Sequence, residues 1–368
     1  MDKYLYSSND QVTLYKGSNL KVLKTFPDES INCVVTSPPY YGLRDYGTGT
    51  WSGGDPDCNH IASDINRGKN SVKQNPQNNG EGAGLYDICP MCGATKEDEQ
   101  IGLESTPEKY VENMTQIFRE VKRVLKKDGT LWLNLGDTYA GVMSRASSGG
   151  RAGYGTPREG IFKRISGNLK PKDLIGIPFK VAFALQADGW YLRQDIIWHK
   201  PASMPEPVKD RCTKSHEYIF LLSKSAKYYY DADAIKEPAT SYDNTHKIFS
   251  KEKNIKGNMS DRGVTRTTEG LNLKSNVEKT GEYKNKRDVW SINTASYSDA
   301  HFAVFPEEIP MNCIKAGTRE GDVVLDPFAG SGTTLMVAQK LNRKSVGIDI
   351  KNEYLDMCLK RTKQLNLL

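Results

Sequence analysis

The run Val323-Val324-Leu325-Asp326-Pro327-Phe328-Ala329-Gly330-Ser331-Gly332-Thr333-Thr334 decides the fold. Its apolar start predicts a buried strand, and the glycine pair predicts a turn at which backbone approaches a ligand closely. Thr333 and Thr334 are placed to cap a helix carried by Leu335, Val337, Ala338 and Leu341. A second apolar strand, Ser345-Val346-Gly347-Ile348, ends in Asp349, 23 positions after Asp326. An acidic residue about 20 positions beyond a Gly-rich turn is the spacing that sets a carboxylate on ribose hydroxyls in nucleotide-type α/β folds. The Gly-x-Gly-x-x-Gly pattern of a nicotinamide site is missing from this turn.

Near the other end, Thr36-Ser37-Pro38-Pro39-Tyr40 follows the apolar run Ile31-Asn32-Cys33-Val34-Val35. Both motifs therefore emerge at the carboxyl ends of buried strands, where open α/β sheets bind ligands. Two prolines remove backbone donors and fix φ, which turns carbonyls toward a site rather than a sheet ladder. An exocyclic amino group on a base is a poor nucleophile, because its lone pair is delocalised into the ring. Acceptors on its protons draw the nitrogen toward tetrahedral geometry as positive charge develops. The Ser37 hydroxyl and the Pro38 carbonyl are such acceptors, and Tyr40 offers a face for an extruded base. Ser-Pro-Pro-Tyr alone is equally an ordinary turn; the glycine motif in the same chain favours the chemical reading.

Together the two motifs resemble motifs IV and I of the DNA amino-methyltransferases, which use S-adenosylmethionine to methylate exocyclic base nitrogens. Their order matches the permuted β-group, and the resemblance covers residues 12–43, 105–237 and 288–360. It implies a Rossmann-like, doubly wound α/β methyltransferase sheet acting on a flipped base in double-stranded DNA. The catalytic set is then Ser37, Pro38, Pro39 and Tyr40. Thr36, Asp326, Pro327, Phe328, Gly330, Ser331, Gly332, Thr333 and Asp349 are the expected cofactor residues. His301-Phe302-Ala303-Val304-Phe305 resembles motif X, which adds His301, Phe302 and Phe305 beside the cofactor. Trp198, before a motif VIII-like His199-Lys200-Pro201, reads either as a wall of the base pocket or as core. Ser37 in place of an acidic residue is typical of family members that make N4-methylcytosine; N6-methyladenine is the alternative. A C5-cytosine enzyme is disfavoured because no Pro-Cys pair is present. Methylation of a protein amide and an inactive DNA-binding regulator are the remaining rivals.

The organisation follows from where periodicity stops. Residues 1–43, 105–237 and 288–368 read as methyltransferase core, interrupted by insertions at 44–104 and 238–287. The first insertion is rich in Gly, Asn and Asp, and holds Cys58-Asn59-His60 and Cys89-Pro90-Met91-Cys92-Gly93. Cys58, His60, Cys89 and Cys92 form a Cys3His set suited to a structural zinc, whose binding would fold a core-poor segment. Free thiols plus a surface imidazole are the plainer reading. The second insertion is hydrophilic with a basic excess, as a target-recognition region touching phosphates would be. So is the Gly/Ser-rich loop carrying Arg145, Arg151, Arg158, Lys163 and Arg164. A net charge of +6 permits nucleic-acid binding. Seven cysteines without a secretory signal predict reduced thiols and a cytoplasmic location. No apolar run reaches the ~18 residues of a membrane span. A homodimer and a cognate restriction endonuclease are the candidate protein partners.

Overall fold

The computed structural model describes residues 2–42, 48–58, 88–89, 91–140, 168–239, 283–295 and 305–364. His60, His301, Phe302 and the basic loop 141–167 lie outside the described residues. The chain divides into two compact units, Met1–Tyr230 with Asp288–Leu368, and Asp231–Arg287.

The strands are β1 (Leu5–Ser8), β2 (Val12–Lys16), β3 (Ile31–Thr36), β4 (Thr50–Ser52), β5 (Thr95–Glu97), β6 (Leu125–Leu135), β7 (Tyr191–His199), β8 (His216–Ser223), β9 (Glu237–Pro238), β10 (Tyr283–Lys284), β11 (Val289–Ser291), β12 (Val323–Asp326) and β13 (Lys344–Asp349). The helices are α1 (Asn19–Leu23), α2 (Pro107–Val124), α3 (Ile177–Ala187), α4 (Glu308–Gly317), α5 (Thr333–Lys340) and α6 (Asn352–Gln364). In the larger unit, nine of these strands form one sheet in the order β1-β2-β13-β12-β3-β6-β8-β7-β11. The run from β2 to β6 is parallel, and β8 is antiparallel to both its neighbours. β4 and β5 form a separate ladder within the first insertion.

The central strands are apolar on both faces because helices cover both. In β3, Ile31, Cys33, Val34 and Val35 are all buried. α2 is started by Thr106, whose hydroxyl accepts from Lys109 N at 3.1 Å, and by Pro107 in its first turn. It buries Tyr110, Met114, Ile117, Phe118 and Val121, the stripe of an amphipathic helix. α2 stops at Val124 and β6 starts at once at Leu125, so Lys126 to Gly129 belong to the strand. The smaller unit holds the β9–β10 ladder.

Two crossovers set the location of the site. From β12 the chain passes through α5 to β13, while from β3 it passes through α2 to β6 on the other side. The strand order thus reverses between β12 and β3, and a crevice opens beyond their carboxyl ends.

Candidate active site

The two motifs, 290 positions apart, meet at that crevice: Thr36 Oγ1 donates to Asp326 Oδ1 at 2.7 Å. A cavity of about 360 Å³ lies there, in the size range of small-molecule sites. Ser37, Pro38, Pro39 and Tyr40 line it from one side. Asp326, Pro327, Phe328, Gly330, Ser331, Thr333, Asp349 and Phe305 line it from the other. Thr36 is fully buried behind this wall, where it orients Asp326.

Gly330 and Gly332 are both left-handed, at φ +48° and +78°, but they serve different neighbours. At Gly330 a Cβ would meet nothing nearer than the Phe328 carbonyl at 3.9 Å, so this glycine faces the cavity. At Gly332 a Cβ would stand 2.7 Å from Cys358 Sγ and 3.0 Å from its Cα. The close approach at Gly332 is therefore to α6, not to a ligand. The expected threonine cap is also replaced: Gly332 is the N-cap of α5 without a side-chain bond. Thr334 Oγ1 instead donates to Val35 O at 3.3 Å, and Thr333 Oγ1 accepts from Arg361 at 2.9 Å.

Two buried carboxylates mark this half of the cavity. Burial pushes Asp326 up to about 6, against hydrogen bonds from Thr36 and from Phe328 N. Burial likewise pushes Asp349 up to about 6, opposed by backbone donors at Lys351 (3.0 Å) and Gly330 (2.9 Å). Both are acceptors with lone pairs to spare for hydroxyl or ammonium donors of a ligand.

The other half is a polar network. Tyr40 Oη donates to Glu217 Oε2 at 2.7 Å. Asn134 Nδ2 lies 2.8 Å from Tyr40 Oη, 3.2 Å from Ser37 Oγ and 3.3 Å from Glu217 Oε2. Lys200 pairs with Glu217 Oε1 and sits 4.2 Å from the centre of the Trp198 ring. Burial, and then the Glu217 charge, holds the Tyr40 phenol well above its ordinary pKa. Tyr110 Oη donates to Pro39 O at 3.0 Å, fixing the turn. Gly136 leaves room for the Tyr40 ring, since a Cβ there would come within 2.5 Å of it. Trp198 is both wall and core: it lines the cavity, is buried, and donates through Nε1 to Ile292 O at 2.8 Å. Asp137 is structural, accepting from Gly176 N and Ile177 N at the start of α3.

Beside the β4–β5 ladder, Cys58, Cys89 and Cys92 bring their sulfurs within 4.8 Å of one another. Gly93 at φ +74° and the Gly93 N to Cys89 O bond of 2.9 Å form the turn of a Cys-x-x-Cys knuckle. The Cys92 thiol is pulled down to about 6, first by a backbone hydrogen bond from Ala94. The fourth expected ligand, His60, lies outside the described residues.

Asn134, Lys200 and Glu217, and on the cofactor side Asn19, Lys351 and Tyr354, join the cavity without having been singled out as site residues from sequence. Asn134 carried a signal, being a polar side chain in the apolar strand Leu131-Trp132-Leu133-Asn134-Leu135. Among the described residues no helix is long and apolar enough to cross a membrane.

A family model described as DNA methylase matches residues 31–360. The chain is 39% identical over 356 residues to the type II methyltransferase M.Cfr9I of Citrobacter freundii, covering 95% of this chain and 87% of that protein. It is 39% identical over 351 residues to M.SmaI of Serratia marcescens, covering 94% and 88%. A solved PvuII DNA methyltransferase, described as cytosine-N4-specific, superposes with a TM-score of 0.55 at 18% identity, covering 96% of this chain and 87% of that one. At that identity the likeness speaks for the fold. With the cavity at the strand reversal and the two motifs facing across it, the chain belongs to the N6/N4 DNA methylase family, S-adenosylmethionine-dependent enzymes that methylate exocyclic amino groups of DNA bases.

Proposed function

We propose that the chain methylates N4 of a flipped cytosine. The observation that carries this reading is the neutral Ser37 hydroxyl at the mouth of β3, held by Asn134 and lining the cavity beside Tyr40. Ser37 Oγ and the Pro38 carbonyl accept the amino protons, and the Tyr40 ring stacks on the base. S-adenosylmethionine, when bound, supplies an electrophilic methyl group on a sulfonium. Asp349 would hold the ribose hydroxyls, and Gly330, Phe328 and Phe305 line the rest of that half of the cavity. The test is incubation with methyl-labelled donor and diverse double-stranded DNA, followed by base-resolved detection. N4-methylcytosine is expected. N6-methyladenine as the sole product overturns the choice of base and leaves the site chemistry standing.

Residues 238–287 are proposed as the target-recognition region, on the support of their basic excess. Within the smaller unit, Lys284 and Arg287 share Glu237 at 3.5 and 2.6 Å, which tempers their own attraction for phosphate. A cognate endonuclease is supported by the type II designation of the relatives.

The three clustered sulfurs are proposed to hold one structural zinc, with His60 as fourth ligand. Elemental analysis of a chelator-free preparation is expected to find about one equivalent of zinc. Cys92→Ser should lose it and open the first insertion to proteolysis. A zinc-free, fully active preparation would leave these cysteines as ordinary thiols.

A further inference from the structure

The carboxylate of Glu217 forces the direction of every hydrogen bond in the network around Tyr40. An ionised carboxylate only accepts, so Tyr40 Oη donates to Glu217 Oε2 over 2.7 Å. With its proton committed, Tyr40 Oη can only accept from Ser37 Oγ, 3.4 Å away. Asn134 presents its amide nitrogen to all three oxygens. The amide cannot be turned round, because Oδ1 would then face the Glu217 carboxylate. Ser37 Oγ, which donates to Tyr40 and accepts from Asn134, keeps one lone pair for a donor in the cavity.

We propose that Ser37, Tyr40 and Glu217 form a proton relay that takes the surplus proton from the methylated amine, and this rests on Ser37 being the amine's acceptor. As the base nitrogen's lone pair forms the N–C bond to the methyl carbon, the C–S bond breaks and its electron pair stays on sulfur. The nitrogen is then positively charged and holds one proton too many. That proton passes to Ser37 Oγ, the Ser37 proton to Tyr40 Oη, and the Tyr40 proton to Glu217 Oε2. The product amine is neutral and Glu217 is a carboxylic acid. The 3.4 Å step is the longest link, and such contacts tighten when substrate is bound. Glu217 is a positioning residue that acts through Tyr40. Its side chain is 15% exposed, so water can take the proton away and reset the site. Lys200, paired with Glu217, favours that reset because it restores the ion pair. Lys214 and His216 are the other titratable groups whose charge acts on Glu217.

The experiment is single-turnover methyl transfer across pH with the full-length protein, Tyr40→Phe, Glu217→Gln and the double variant. Phe keeps the stacking ring, and Gln keeps an oxygen to hold the Tyr40 hydroxyl. Each single variant is expected to be roughly 10²-fold slower, with the double no slower than the worse single. The pH profiles of wild type and Glu217→Gln should differ, because the terminal proton acceptor is titratable in one and not in the other. If Glu217→Gln loses its thermal transition, Tyr40→Phe carries the test, since it leaves the Lys200–Glu217 pair in place. A properly folded Glu217→Gln, or a Tyr40→Phe, within about threefold of wild type overturns the relay, as do effects that multiply in the double variant. A wild type that transfers nothing to a base amine overturns instead the reading of the site.

Discussion

Tyr40→Ala is expected to depress single-turnover methyl transfer on the order of 10³-fold or more. Two separate losses combine in it: a base-stacking surface worth about 1 to 3 kcal/mol, and a proton path worth about 10²-fold or more. Neither involves a phosphate contact. The slope of DNA affinity against salt should match wild type, since the phosphate contacts are untouched. The decisive measurement pairs a rapid-quench rate with a salt titration of DNA binding. A variant that loses DNA affinity in step with its rate would show that Tyr40 serves binding alone.

Gly332→Val should cost the folded state itself. A β-branched residue at φ +78° is strained by about 1 to 3 kcal/mol, and its Cβ would overlap Cys358 on α6 at 2.7 Å, adding about 1 to 3 more. Against a total stability of about 5 to 15 kcal/mol, this predicts a fall in Tm of about 3 to 8 °C, or insoluble protein where the margin is small. Gly330→Ala is the control. Its Cβ would meet nothing nearer than 3.9 Å, so only the left-handed strain of about 1 to 2 kcal/mol remains, which should cost no more than about 3 °C, and donor affinity falls instead. Calorimetry that finds both variants equally stable would contradict the packing described for α5 and α6.

The contrast between these glycines shows what the sequence carried. Strand, turn, strand and terminal aspartate are local patterns, and β12, α5 and β13 formed where the apolar runs placed them. Which side of each glycine faces a ligand is a tertiary fact: α6 reaches Gly332 from 26 residues away, and no local pattern announces Cys358 as its neighbour. The Ser37 turn was legible because it follows an uninterrupted buried strand. Glu217 was not, because it sits near the start of β8, where a charged residue is commonplace. Only the antiparallel pairing of β8 with β6, which sets Leu135 opposite Tyr218, brings it to the end of the sheet where β3 finishes. Lys200 was visible within a motif-like run, yet its partner was not. Thr333 and Thr334 followed helix-capping chemistry on paper, and lost that role once Val35 and Arg361 came within reach.

The Thr36–Asp326 bond also sets a clock for the ribosome. Its partners are 290 positions apart, which at ~5–20 residues per second means about 15 to 60 s between the synthesis of β3 and that of β12. Throughout that interval β3 can pair with β6 on one side only, leaving an apolar strand edge without its later neighbour. A nascent chain at this stage has no donor site and cannot mark DNA, yet it displays the surface best suited to sticking to another copy. The permuted order therefore trades an early catalytic motif for a long, aggregation-exposed wait before the strand edge is covered.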